Sequence, residues 1–103
     1  MKIYISGGIT NVPDYSQRFH DAAERLRKDG HQVFDPAHIG GLLQERLDWD
    51  LDYEDFMEID ALFLRQCDAI YLLKDYEESE GARRELRLAI KLGKAIMYEE
   101  ELP

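Results

Sequence analysis

Along this chain, short apolar runs alternate with longer stretches in which apolar residues return every three or four positions. The first kind predicts strands and the second helices. Lys2 to Ser6 is rich in Ile and Tyr and stops at Gly7-Gly8, which predicts a strand entering a glycine turn. From Ser16 to Asp29, the residues Phe19, Ala22, Ala23 and Leu26 share one helical face, with Gly30 just beyond as a stop. Gln32 to Phe34 makes a brief second strand, ended by Asp35-Pro36 because proline cannot donate to a ladder. Ala37 to Leu51, with Gly40-Gly41 and a mixed polar tail, reads as a loop with a short helix. Tyr53 to Gln66 predicts a helix, and Ala69 to Leu73 has the unbroken apolar character of a strand buried on both faces. After the charged loop Lys74 to Glu78, Ser79 stands at the N-cap of a helix running to about Leu92 and stopped by Gly93. Ala95 to Tyr98 closes the series as a fourth strand.

Strands alternating with helices predict an α/β fold, a small doubly wound, flavodoxin-like or Rossmann-like parallel sheet of four strands in the order 2-1-3-4. The 103 residues make one domain, with no repeats or linkers. Apolar residues at 45% suffice for a core, and 34% charged residues exceed the roughly 25% of an ordinary domain. The net charge of -9 repels phosphate polymers and anionic lipid, which argues against a nucleic-acid partner or a membrane surface. The lone Cys67, the lack of a long apolar run and the short apolar N-terminus fit a soluble protein of a reducing cytoplasm.

In a sheet of that order the crevice opens at the carboxyl ends of strands one and three. Ser6-Gly7-Gly8-Ile9-Thr10 reaches it from one side, and Lys74 to Ser79, leading to Gly81, from the other. Glycines let backbone approach a ligand, and a capped helix start offers N–H groups to an anion; equally, a Gly pair serves as a plain turn and Ser as a plain cap. The last helix carries a sharper signal. Glu85 falls inside its apolar arc, between Gly81, Ala82, Leu88 and Ala89, while Arg83, Arg84, Arg87 and Lys91 take the opposite face. Asp60 repeats the anomaly one helix earlier, among Phe56, Met57, Phe63 and Leu64. A carboxylate on a packing face costs several kcal/mol unless it is paired or near a wet cleft. Two such acids at one crevice can divide the roles of nucleophile and proton donor, and Asp60 is expected to hold its proton towards neutral pH. His20 and His31 read as surface residues, His38 as a loop residue and Asp68 as a local backbone partner. The acidic run Asp48, Asp50, Asp52, Glu54 and Asp55 lacks calcium-loop register and reads as a solvated face. No Cys and His cluster has metal spacing, and the first turn matches neither a dinucleotide nor a P-loop fingerprint.

The ordered set Tyr4-Ile5-Ser6-Gly7-Gly8-Ile9, Asp60 ahead of Cys67-Asp68-Ala69-Ile70, Ser79-x-Gly81-x-x-x-Glu85 and Gly93-Lys94 resembles the nucleoside 2-deoxyribosyltransferase-like superfamily over most of the chain. That superfamily includes the 2'-deoxynucleoside 5'-phosphate N-hydrolases and a group of small bacterial and phage proteins. The resemblance implies Glu85 as the nucleophile that attacks C1' of the sugar, Asp60 as the acid that assists departure of the base, and Tyr4 as the residue orienting the nucleophile. It also implies substrate contacts at Ser6, Gly7, Gly8, Ile9, Ser79 and Gly81. Ser79 matches a phosphate-contacting Ser of the nucleotide hydrolases, which leans towards a 5'-phosphate substrate. Gly8 and Thr10 depart from the Ser and Arg of the phosphate-using members, whose further C-terminal segment is not matched. The activity implied is cleavage or exchange of the base of a nucleoside or nucleoside 5'-monophosphate, without metal or redox cofactor. The competing reading is a catalytically idle module of the same fold that binds a nucleotide or a host protein. Tyr53, Phe56, Phe63, Trp49 and Leu51 exceed what one short sheet covers, which makes a homodimer through the helix before strand three an expectation. The alternative is that Trp49 packs as a lid on its own crevice.

Overall fold

The computed structural model of the protein describes residues 1–99. Four strands, β1 (Lys2–Ser6), β2 (Gln32–Phe34), β3 (Ala69–Leu72) and β4 (Ala95–Tyr98), form one sheet in the order β2-β1-β3-β4. Every pairing is parallel, as expected from the alternation of strands and helices. The chain leaves β1 for β2 on one side and β3 for β4 on the other, so the carboxyl ends of β1 and β3 mark the point where its direction reverses.

The central strand β1 sorts its residues by the two-residue period of a strand. Ile3 and Ile5 face α1 (Tyr15–Lys28), where they pack with Phe19, Ala22, Ala23 and Leu26. Tyr4 faces the opposite layer, built on α3 (Tyr53–Gln66) and α4 (Glu80–Lys91), where Leu64, Cys67, Ile70, Leu72 and Ala89 complete a second core. Ile3, Tyr4, Ile5 and Phe19, which anchor these layers, are all buried, and so is Ser6.

The segment expected as a loop with a short helix is an 11-residue helix, α2 (Pro36–Arg46). The Asp35-Pro36 pair that ends β2 also starts this helix. Asp35 accepts hydrogen bonds from the backbone N–H groups of Ala37 at 3.0 Å and His38 at 3.1 Å, and proline fits the first helical position. The helix evaded its sequence pattern because it buries only Pro36 fully and so needs no sharp apolar stripe. The acidic run before α3 is likewise more than a solvated face. Asp52 and Asp55 form a reciprocal capping box, with Asp55 N–H donating to Asp52 at 2.8 Å and Asp52 N–H to Asp55 at 2.9 Å. Asp68 accepts from the N–H of Lys2 at 2.8 Å, so it ties β3 to β1 rather than bonding its own neighbourhood.

Gly7 has the tightest surroundings of the glycines: a Cβ there would stand 2.9 Å from Leu73 Cβ, an atom fixed to the backbone. Gly41, inside α2, faces open space. We expect Gly7→Ala to lower stability by about 1–3 kcal/mol through overpacking, and Gly41→Ala to raise it by up to about 1 kcal/mol through helix propensity. Urea unfolding of the two variants beside the parent checks both signs.

Candidate active site

The carboxyl ends of β1 and β3 open into a cavity of about 870 Å³. Gly7, Gly8 and Ile9 line it from the turn after β1, Ser79 and Gly81 from the start of α4, and Asp60 and Glu85 from the two helices behind. Each arrives there for a local reason. Gly8 lies under Val12 and Ser79, at 3.2 and 3.7 Å from where its Cβ would be. Ser79 caps α4, its Oγ accepting from Ala82 N–H at 3.1 Å. Gly81 lets α3 come close, since a Cβ there would meet Tyr53 Oη at 3.3 Å and Met57 Sδ at 3.6 Å.

Tyr4 and Ser6 stand behind the cavity wall. Two residues apart on β1, they present hydroxyls to the same face and to the same partner. Tyr4 Oη donates to Glu85 Oε2 and Ser6 Oγ to Glu85 Oε1, both at 2.6 Å. Both donors are wholly buried, and Glu85 is 8% exposed. The Ser6 side chain therefore faces Glu85 rather than the cavity, unlike the substrate contact expected for it. The sequence carried a signal for this, because a strand buried on both faces places residues 4 and 6 on one side. Tyr4 is held in turn by ring stacking: its ring lies 5.5 Å from Phe34 at an interplanar angle of 18°, and Phe34 lies 4.4 Å from Phe63 at 11°.

The Glu85 carboxyl stands above its ordinary range because burial raises it, with the hydroxyls of Ser6 and Tyr4 and the charge of Arg84 opposing only in part. Asp60 is raised to about 7, first by burial and then by the charge of Glu85, with the Tyr4 hydroxyl opposing. Both acids are raised, and since the charge of Glu85 is among the causes at Asp60, Glu85 gives up its proton first while Asp60 keeps its own to near neutrality. Tyr4 itself is driven well above the usual phenol range by burial, then by Glu85 and Asp60, so its hydroxyl is a donor and not an anion.

Several cavity residues lay outside the expected set. Tyr53, Phe56 and Met57 of α3 supply an apolar wall, so two of the aromatic residues assigned to a dimer face line this chain's own crevice. Arg84 sits over the Tyr53 ring at 5.5 Å from its centroid and pairs with Glu54 at 2.7 Å, which fixes the rim where α3 meets α4. Phe63 belongs to the stack behind Tyr4. Trp49 is 64% exposed and does not line the cavity. Asn11 and Asp75, on the two rim loops, take left-handed backbone with φ of 63° and 67°, a conformation Asn and Asp tolerate better than other side chains. The histidines stand apart: His20 and His38 are exposed, and His31 Nδ1 lies 3.2 Å from the Met1 amine. Among the described residues no group of three His, Cys, Asp or Glu side chains is placed to hold a metal ion. No helix among them is long and apolar enough to cross a membrane.

Among solved structures, the chain is similar to a 2-deoxyribosyltransferase of the psychrotolerant bacterium Bacillus psychrosaccharolyticus, with a TM-score of 0.74 and 22% identity. The match covers 100% of this chain and 77% of that one, and at this identity it shows a shared fold, the nucleoside 2-deoxyribosyltransferase-like fold. No curated protein matches the chain. Residues 1–98 match the family described as a domain of unknown function, DUF4406, and the chain belongs to that family.

Proposed function

We propose that the protein is an N-glycosidic bond enzyme that releases or exchanges the base of a nucleoside or nucleoside 5'-monophosphate. The observation that carries this reading is the shared cavity of Glu85 and Asp60, one acid receiving a hydrogen bond from a hydroxyl on each oxygen and the other pushed to about 7. Carboxyl groups set apart in this way can act as nucleophile and proton donor. A Glu85 oxygen bonds to C1' of the sugar as the bond from C1' to the base nitrogen breaks, and Asp60 gives its proton to the departing base. Water, or the nitrogen of an incoming base, then attacks C1' and releases Glu85, and Asp60 takes the proton from that nucleophile. The protons and bonds balance with no metal or redox partner. The apolar side chains of Tyr53, Phe56 and Met57 offer a surface against which a flat base can lie.

Charge separates the two substrate forms. Asp60, Asp75, Glu78, Glu80 and Glu85 line the cavity, against Arg18 and Lys74. Arg18 donates to the Lys74 carbonyl at 2.7 Å across the rim. This balance favours an uncharged nucleoside over its 5'-monophosphate, against the lean drawn from Ser79, whose Oγ already caps α4. We take residues 1–103 as one functional unit and retain a homodimer, now resting on exposed Trp49 and Leu62 rather than on the cavity aromatics.

Four outcomes test the reading. Free base appears by chromatography when the parent meets a panel of deoxynucleosides, and Glu85→Ala stops its release while isothermal titration still detects ligand; release by that variant would sink the mechanism, and none by the parent leaves an idle binding module. Because only protonated Asp60 serves as donor, the rate falls as pH rises through about 7. Asp60→Asn loses that limb and about 10²- to 10⁴-fold in rate, with a smaller loss for a leaving group that needs no proton. A deoxynucleoside reacts with higher kcat/KM than its 5'-monophosphate, and added salt narrows the gap; the reverse preference refutes the charge argument. Sedimentation at micromolar concentration gives twice 12.1 kDa, and Trp49→Asp halves it; an active monomer removes the dimer.

A further inference from the structure

Three side chains of α3 form the apolar wall of the cavity, and they are not held alike. Tyr53, Phe56 and Met57 lie three and four positions apart, on one helical face. Phe56 and Met57 are half-buried, and each lies close to a glycine. Phe56 stands 3.5 Å from where a Gly40 Cβ would be, and Met57 Sδ 3.6 Å from where one on Gly81 would be. Tyr53, the first residue of the helix, is 45% exposed. A ring so exposed keeps its torsional freedom unless a neighbour restrains it.

The restraint comes from α4. Gly81 and Arg84 are three positions apart and share a side of that helix. Tyr53 lies along this side, with its Oη 3.3 Å from where a Gly81 Cβ would be and its ring centroid 5.5 Å from Arg84 Cζ, under the guanidinium. Arg84 Nη1 also donates to both oxygens of Glu54, at 2.7 and 3.1 Å. Glu54 follows Tyr53 in the chain, so one guanidinium grips two consecutive residues of α3. Arg84 does not itself line the cavity. At Glu85, which burial raises, the Arg84 charge opposes less than the hydroxyls of Ser6 and Tyr4 do.

We propose that Tyr53 is the stacking surface for the base, and that Arg84, anchored on Glu54, is the positioning residue that keeps its ring there. This rests on the glycosidic reading above, which brings a base into the cavity. A cation over one ring face is attracted by the π electrons. The planar guanidinium satisfies that face and a carboxylate together, which an ammonium does not. The ring is therefore in place before substrate arrives, and binding does not have to order it. A stacking contact is made equally before and during cleavage at C1', so it acts on substrate affinity and not on the chemical step.

The test measures kcat and KM for base release from whichever of deoxyadenosine, deoxyguanosine, deoxycytidine and thymidine the parent protein cleaves fastest. Both side chains are partly exposed, and the capping box of Asp52 and Asp55 holds the start of α3 without them, so the variants keep the fold. Tyr53→Ala raises KM about tenfold with kcat held within about twofold, and Tyr53→Phe, which keeps the ring, raises it at least about threefold less. Arg84→Met raises KM about three- to tenfold, and Arg84→Lys leaves most of that rise. The double variant Tyr53→Ala/Arg84→Met has the KM of Tyr53→Ala within about twofold, because a residue that acts through the ring has nothing left to act on. Losses that multiply in the double variant overturn the positioning role. Full recovery in Arg84→Lys overturns it too, and moves the role of Arg84 to its charge beside Glu85. A fall in kcat at unchanged KM in Tyr53→Ala overturns the stacking role. In each of these cases base release by the parent leaves the glycosidic reading standing, whereas no release from any of the four nucleosides removes that reading and this inference with it.

Discussion

A carboxylate cannot lie inside an apolar layer unless something in that layer replaces the water it has lost. Glu85 sits on the packing face of α4, between Ala82 and Ala89, and the protein answers with one hydroxyl for each of its oxygens. Much of the structure follows from this requirement. Both donors must come from β1 at alternate positions, so β1 must be central and its polar pair must face α4. Tyr4 must be held rigidly, which calls for Phe34 on the neighbouring strand β2 and Phe63 on α3 behind it. Asp60 is raised first by its own burial and then by the charge of Glu85 nearby.

The elements most legible in the sequence were those whose side chains are sorted by burial. β1, β3, α1, α3 and α4 carry clean periods because each must bury one face or both, and the parallel order 2-1-3-4 followed from their alternation. The α2 helix was not legible as a helix because it covers little and buries only Pro36 fully. Its start was hidden in a pair that also ends a strand, since one Asp-Pro step can stop a ladder and cap a helix. The capping box at Asp52 and Asp55 was masked by a run of acids, in which charge drew more notice than the three-residue spacing.

The site was legible where chemistry contradicted pattern. Glu85 and Asp60 stood out because an acid on an apolar face is costly, and both line one cavity. Ser6 reads both as the end of the first strand and as the start of the crevice loop, and the strand period that runs through it turns its hydroxyl inward onto Glu85. The α3 aromatics were assigned outward. Helical periodicity tells which residues share a face, but not whether that face meets a neighbouring protein or a hollow within the same chain. Gly81 settles this by letting α3 approach α4 closely enough to bring Tyr53 and Met57 to the rim.

The acidic character of the whole chain and the chemistry proposed for the site act in the same direction. In glycosyl transfer through a carboxylate, the sugar passes through a state with positive charge spread over C1' and its ring oxygen. A cavity lined by five carboxyl groups and two cations stabilises that charge as it develops, and does so most for a substrate that arrives neutral. The same field makes it harder for the base to leave with its electrons, because negative charge then builds on the departing nitrogen. A proton donor that survives to about pH 7 removes that difficulty, and burial, with the charge of Glu85 second, raises Asp60 far enough to meet the need. In the proposed reaction, nucleophile, acid and rim would form one electrostatic arrangement, in which burial and the Glu85 charge hold the proton on Asp60 and the surrounding acids favour a neutral substrate.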